Sequence, residues 1–200
     1  MSVAISRLET LAVALLCAAA GNAAGAQERA QLPIEVKANS NDFDYQNGVL
    51  VFNEVTITQG QVRITADRAV ATGLDFEESH WEFTGTVRIS MPDGALASET
   101  ARIRFSGGEI ASATVTGAPA TFEQQRKEEH AEGRANRIDY DLKLGTVEFT
   151  GDAWLKDART ELTSATLVYS TVNQRVVSKE PVVITIQPEE KSPETAKPPS

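Results

Sequence analysis

Apolar and polar residues alternate one for one along most of this chain. The alternation runs through Val55–Ile64 and again through Trp81–Ile89. A period of two among Val, Ile, Thr and aromatic residues predicts strands that bury one face. Turn sequences such as Asn47-Gly48 and Pro92-Asp93-Gly94 separate the runs. No window of helical length shows a capped apolar stripe with a 3.6 period, so the pattern predicts an all-β chain.

The Glu-rich stretch 123–133 is the one segment whose composition resembles a helix. It carries no apolar stripe, and an amphipathic helix requires one. We therefore predict a long polar hairpin around residues 125–132.

One short string, Glu-Phe-Thr-Gly, occurs at Glu82–Gly85 and again at Glu148–Gly151. Asn53 and Gly117 occupy related positions, so the anchors at 53, 85, 117 and 151 are spaced 32, 32 and 34 residues apart. A period near 32 without helices predicts stacked strand pairs that complete one another's core. Gly or Asn at each anchor favours a bend or bulge, which argues against an active-site motif used twice.

Both termini differ from the repeats in composition. Residues 1–26 combine Arg7, the apolar run Leu11–Ala20 and an Ala-Gly-Ala sequence, the pattern of a secretory signal peptide. Residues 187–200 are rich in Pro, Glu, Lys and Ser, which predicts a disordered tail. A single β domain over 27–186 remains, and it contains no cysteine because Cys17 lies in the predicted leader.

Charge and chemistry exclude several classes of function. A net charge of −9 without a basic run disfavours nucleic acid. His80 and His130 lack metal-ligand spacing to a second His or Cys, so we expect no metal, no cofactor and no enzyme activity. Asp42/Asp44 and Asp139/Asp141 each share a strand face, but both pairs sit in solvated hairpin-like segments. A structural or glycan-binding β-solenoid stays open, although aromatic residues make up only 6%.

Several segments together resemble the LptA/OstA-like family. Pro33–Ala69 contains an Ile-x-Val opening, a Thr-Gln-Gly and an Ile-x-Ala-Asp in the family's order. Glu132–Leu155 and Thr163–Tyr169 continue the pattern, and residues 75–106 add one strand pair relative to common short members. The resemblance implies a long antiparallel β-jellyroll, open along one side. It also implies a periplasmic protein of Gram-negative bacteria that carries lipopolysaccharide towards the outer membrane, or a sister adaptor of that system.

The resemblance also implies an apolar groove for the acyl chains of lipid A. Five residues match positions at which the family contacts these chains: Ile34, Val36, Phe122, Tyr140 and Leu142. The apolar phase of the strands adds Val55, Ile57, Ile64, Phe83 and Phe149 as groove candidates, although the same residues suit an ordinary β core. Because the chain is acidic, we expect the head group to stay at the rim and the six basic strand residues Arg63, Arg88, Arg102, Arg104, Arg134 and Lys143 to face mainly solvent.

An open jellyroll has unpaired edges at both ends. The strand near Ile34–Ala38 of one copy can add to the strand near Val182–Ile186 of the next, with Pro181 and Pro188 limiting the pairing. Such a contact is heterologous and does not close, so it produces filaments. The resemblance implies a head-to-tail homo-oligomer of this kind and like-folded partners at the inner and outer membranes.

Overall fold

The computed structural model describes residues 32–44, 46–72, 76–126 and 129–188. The predicted signal peptide and residues 189–200 of the predicted tail lie outside the described residues. All regular secondary structure in the described ranges is strand: β1 Ile34–Lys37, β2 Ser40–Asp44, β3 Val49–Gln59, β4 Val62–Thr72, β5 Glu78–Met91, β6 Gly94–Ser106, β7 Glu109–Arg126, β8 Glu129–Asp141, β9 Thr146–Asp157, β10 Thr160–Ser170, β11 Arg175–Val177 and β12 Val183–Ile186.

The eight long strands β3 to β10 pair antiparallel with their neighbours in chain order, as successive hairpins predict. The polar hairpin predicted around 125–132 is confirmed, since β7 pairs with β8 up to Arg126 opposite Glu129. Two short strands flank each end of this sheet. β1 and β2 both pair with β3, while β11 and β12 both pair with β10.

A line of irregularities crosses the long strands near their middles. Register shifts interrupt six consecutive pairings, from β4 with β5 through β9 with β10. Gly85 and Gly151 of the repeated string lie on this line with φ of 73° and 77°. The repeat is therefore a strand bend, as predicted.

Two anchors differ in detail from the prediction. In the first repeat the left-handed conformation falls on Glu54, with φ of 50°, and not on Asn53. At Gly117 the irregularity spans Thr116 to Ala120 and contains a cis Ala118–Pro119 bond. A chain can thus place the bend on the anchor or beside it, because a bulge needs one extra residue and not one particular side chain.

The bend divides the sheet into two halves that face each other. Half-sheet I contains β1, β12 and residues 56–65, 88–97, 121–126, 129–134 and 154–163. Half-sheet II contains β2, β11 and residues 49–53, 68–72, 78–84, 100–116, 137–150 and 166–170. Their inward side chains form one buried apolar cluster. The predicted all-β open antiparallel jellyroll is confirmed.

We expect Gly85→Ala to destabilise the protein more than Gly107→Ala. Both glycines have positive φ, so each substitution should cost about 1–2 kcal/mol for the backbone conformation. A Cβ at Gly107 meets nothing within 4 Å, whereas a Cβ at Gly85 overlaps the Asp67 carboxylate and lies 2.9 Å from Asp67 Cβ. Asp67 accepts a 3.2 Å hydrogen bond from Thr86 Oγ1, and its displacement should add about 1 kcal/mol. Urea unfolding of the two variants measures the difference, and equal losses would contradict the role of the bend.

Candidate functional site

The inward face of half-sheet I is one continuous apolar row. Successive Cα partners across ten strands are Val36, Ile57, Ile64, Ile89, Leu96, Phe122, Gly133, Leu155, Leu162 and Ile184. Nine of the ten are large apolar residues. Gly133 is the exception, and its place is filled by the Phe149 ring, whose Cζ lies 2.6 Å from the position of a Cβ at residue 133. The row therefore runs without a polar break between the two outermost strands.

Half-sheet II contributes two further inward rows, in which large and small side chains mix. The first is Phe52, Ala69, Phe83, Ala101, Val115, Ile138, Phe149 and Leu167. The second is Phe43, Leu50, Ala71, Trp81, Ile103, Ala113, Tyr140, Val147, Tyr169 and Val176. Because alanine is small, the aromatic rings next to it can extend over its side chain, and this face packs densely.

Aromatic rings collect in two groups along the interior. The first surrounds Trp81, which stacks on Phe52 and Phe76 with centroid distances of 5.6 and 5.2 Å. The second surrounds Phe122, whose ring meets Phe149 at 5.7 Å and Tyr169 at 6.1 Å. Phe122 belongs to half-sheet I and its partners to half-sheet II, so the second group holds the two halves together.

The free margins of the two half-sheets meet along a seam opposite the bend, and polar side chains bridge it. Gln59 Nε2 donates to the carbonyl of Gly108 at 2.7 Å. Further along, the buried side chain of Gln124 accepts from Tyr169 Oη at 2.9 Å and donates to the Thr171 carbonyl at 3.5 Å. The groups in these bonds are neutral, and each bond is worth only about 0.5–1.5 kcal/mol. Each bridge therefore holds the seam weakly compared with the continuous ladder at the bend.

A cavity of about 120 Å³ lies at the seam between the two polar bridges. Its lining comes from both half-sheets: Met91, Pro92, Asp93, Gly94, Phe122, Gln124 and Tyr140. Such a volume holds a few methylene groups and no complete acyl chain. It gives the seam an apolar indentation that leads directly to the second aromatic group.

All ten predicted groove residues contact the inward apolar cluster. Six are buried: Val55, Ile57, Ile64, Phe83, Phe122 and Phe149. Four are half-buried and pack against the cluster: Ile34, Val36, Tyr140 and Leu142. Tyr140 and Phe122 meet at the seam cavity, whereas Ile34 and Val36 lie on the edge strand β1. The half-buried residues are thus at the margins of the interior.

Sequence reasoning missed several residues of the interior and the seam. Trp81 and Phe105 follow the apolar alternation of their strands, so the signal for them was present. Gln124 is in phase with Phe122, which makes it an inward polar residue that the alternation itself singles out. Phe76 precedes β5 in a segment without regular structure and reaches the interior through its tertiary contacts alone.

Five of the six basic residues lie on strands and point away from the interior, whereas Lys143 lies in the turn between β8 and β9. All six are exposed except the half-buried Arg104. Arg102 Nε forms a 3.0 Å bond with Glu82, and Arg134 lies 4.7 Å over the Trp154 ring. Glu78 accepts from Ser106 Oγ, which lowers the pKa of its carboxyl, and the charge of Arg104 acts in the same direction. The outer face therefore carries charged side chains that contact solvent, and some of them form ion pairs.

Several of the carboxylates and histidines considered for catalysis have structural partners. Asp139 accepts from Arg137 and Thr114, and the bonds with Arg137 raise the pKa of its guanidinium. Asp44 accepts from Asn47 in the β2–β3 turn, and His130 lies 3.1 Å from Glu132. In the described ranges, no group of three His, Cys, Asp or Glu side chains is placed to hold a metal ion. None of the described residues forms a helix long and apolar enough to cross a membrane.

Comparisons with known proteins identify sequences and a structure that resemble this chain. Residues 35–73 and 71–175 match the family described as LptA/(LptD N-terminal domain) LPS transport protein. The lipopolysaccharide export system protein LptA of Escherichia coli K12 is 26% identical over 146 residues, 72% of this chain. The alignment spans 63% of that relative's own length. LptA of Haemophilus influenzae is 23% identical over 168 residues, 83% of this chain and 81% of the relative.

A solved structure also resembles this chain. It is the crystal structure of LptH, described as the LptA-homologous periplasmic component of the lipopolysaccharide transport device of Pseudomonas aeruginosa. The two are 19% identical with a TM-score of 0.42 over 78% of this chain and 96% of LptH. With a family profile that covers most of its strands, the chain belongs to the LptA/LptD N-terminal domain family of lipopolysaccharide transport proteins.

Proposed function

We propose that this protein is a non-enzymatic periplasmic carrier whose domain, residues 27–186, holds the acyl chains of lipopolysaccharide between its half-sheets. The observation that carries the proposal is the unbroken inward apolar row from Val36 to Ile184. Burial of one methylene is worth about 0.8 kcal/mol, so an acyl chain gains several kcal/mol along such a face. The family membership and the relatives named for lipopolysaccharide export support the same ligand.

Entry through the seam is the step that this geometry favours. Buried side chains fill the interior, so acyl chains must part the half-sheets and take the place of ring contacts. The weak polar bridges of Gln59 and Gln124 make the seam the margin that opens at least cost. The outward position of the basic residues supports a head group that remains at the rim and in solvent.

The edges support assembly into a bridge between the membranes. β12 leaves Ile184 and Ile186 more than half exposed, although both continue the inward face. An apolar, unpaired edge strand is normally blunted in a monomeric protein. Addition of a second copy, or of a like-folded partner at either membrane, covers it. A glycan-binding solenoid or an adaptor that never holds lipid is the alternative, and neither needs an apolar interior that reaches the edges.

Site-specific photocrosslinking tests the carrier function. A benzophenone amino acid at Phe122 or Phe149 should label purified lipopolysaccharide, because both rings face the interior. The same group at the neighbouring outward residues Glu123 and Glu148 should label it weakly, since alternate strand positions point to opposite faces. Equal labelling from both faces, or none from either, would refute the carrier.

A further inference from the structure

Two polar atoms of the first aromatic group are buried without a partner. Within the described residues, neither Ser79 Oγ nor Trp81 Nε1 has a hydrogen bond. The two side chains are 1% and 0% exposed. Nearly all buried polar groups in native proteins are paired, because an unpaired one has lost its water without compensation. The described part of the chain therefore offers no acceptor to these two buried donors.

The two donors are placed to act together. Ser79 and Trp81 are two residues apart on β5, so they share its inward face at a spacing of about 7 Å. The indole lies among four phenylalanine rings, at centroid distances of 5.2 to 6.2 Å. Ser79 pairs in register with one of these, Phe105. In this otherwise apolar wall, the pair is a polar feature with a fixed position.

Phe76 covers this position from the seam side. Its ring stacks on Trp81 and meets Phe105 edge-on at 4.9 Å, although Phe76 lies outside the strands and has a φ of 52°. The Phe76 carbonyl accepts from Gly108 N at 3.1 Å, and the Gly108 carbonyl in turn accepts from Gln59. Gly108 thus bonds both to Phe76, which covers the two donors, and to Gln59, which bridges the seam. Opening the seam at Gly108 should therefore also release the Phe76 ring.

We propose that Ser79 and Trp81 are each placed to donate a hydrogen bond to an oxygen carried by an acyl chain, either a hydroxyl or an ester carbonyl oxygen. The indole N–H can only donate, while the serine hydroxyl can donate or accept, so the pair fits an oxygen acceptor. A plain hydrocarbon leaves both donors unpaired and gains nothing from them. The inference rests on the proposed carrier function and adds a chemical preference for oxygenated chains.

The first test compares two probes, 3-hydroxytetradecanoate and tetradecanoate, which differ by one oxygen on the chain. The unaltered protein should bind the hydroxylated probe about 3- to 10-fold more tightly, the ratio that one net hydrogen bond supplies. Ser79→Ala and Trp81→Phe should each bring the ratio of the two affinities towards one, because each removes a donor that the chain hydroxyl of the first probe would pair with. Equal affinities of the unaltered protein for the two probes would overturn the oxygen site and leave the carrier intact. Failure to bind either probe would count against both.

Thermal unfolding distinguishes the proposed site from a purely structural role, because the two predict opposite changes in the melting temperature of Ser79→Ala. Ser79→Ala removes an unpaired buried hydroxyl, so the ligand-free variant should melt a few degrees higher. Ser164→Ala is the matched control: Ser164 is also buried, but its Oγ lies 3.0 Å from the Pro181 carbonyl. That variant should melt lower. A lowered melting temperature for Ser79→Ala would show that the hydroxyl is satisfied inside the protein and would overturn the proposal.

Fluorescence reports on the indole directly. The chain has two tryptophans, so Trp154→Phe leaves Trp81 as the single emitter. Hydrogen bonding at Nε1 should shift its emission to longer wavelength with the hydroxylated probe. Tetradecanoate should produce a smaller shift. Identical shifts with both probes would contradict an oxygen contact at the indole.

Discussion

Replacing Gly133 with alanine is expected to lower the free energy of unfolding by about 1–3 kcal/mol. The new Cβ would overlap the Phe149 ring, at 2.6 Å from its Cζ and 3.3 Å from its Cδ1. Phe149 is fully buried, and its ring also packs on Phe122 at 5.7 Å, so it has little room to move. Gly133 has no positive φ that an alanine would strain, so the loss measures packing. Urea unfolding of the purified variant gives the value.

The double variant Gly133→Ala, Phe149→Leu is the control for this expectation. Phe149→Leu alone should cost stability, because it leaves a gap beside Phe122. Together the two changes should cost less than their sum, since the smaller leucine accommodates the added methyl group. Strict additivity would show that residues 133 and 149 do not contact each other. The interpretation that the Phe149 ring fills the position beside Gly133 would then be wrong.

If the proposed carrier function is correct, the same contact lets the interior serve as both a core and a groove. Phe149 then fills a position that an acyl chain takes when the ring moves. The Phe149→Leu variant, with its smaller side chain, should therefore accept lipid more readily while it unfolds more easily. Measuring both the free energy of unfolding and lipopolysaccharide binding of this variant tests that expectation.

Local pattern predicted the long strands well because one face of each of them is buried. Phe83 and Phe149 alternate with polar neighbours, and both lie in the core. The spacing of Gly85 and Gly151 likewise predicted the bend. Both repeats require a positive φ at this position, and glycine adopts it most easily. These properties depend on neighbours within one or two strands, which sequence alternation records directly.

The seam was beyond such reasoning. Gln124 and Tyr169 are 45 residues apart, and Gln59 and Gly108 are 49 apart. Their pairing depends on how the two half-sheets are offset when they pack face to face. The alternation of residues along a strand does not report that offset. Polar residues at inward positions, such as Gln124 and Ser79, mark these places in the sequence without naming their partners.

A defined register follows if copies of the chain assemble through their edge strands. β1 and β12 each run antiparallel to the long strand beside them, and the eight long strands alternate in direction. A second copy can therefore extend half-sheet I with its β1 antiparallel to β12. The inward apolar row continues when Ile184 faces Val36 of the next copy. That register also places Ile186 opposite Ile34, so the exposed Ile186 and the half-buried Ile34 each meet an apolar partner.

Mixing a Val36→Cys variant with an Ile184→Cys variant should give a disulfide-linked heterodimer on mild oxidation. Directly opposed residues of an antiparallel pair lie about 4.5–5.5 Å apart, within the range of a disulfide. Residues from Gln27 onward contain no cysteine, so the background is clean. Ile186→Cys mixed with Val36→Cys is the control, because this diagonal pair should lie at about 7–8 Å and crosslink poorly. Equal crosslinking of both mixtures would exclude this register. No crosslinking in either, with a monomer in light scattering at high concentration, would exclude strand addition between copies and leave the exposed face of β12 to a different partner.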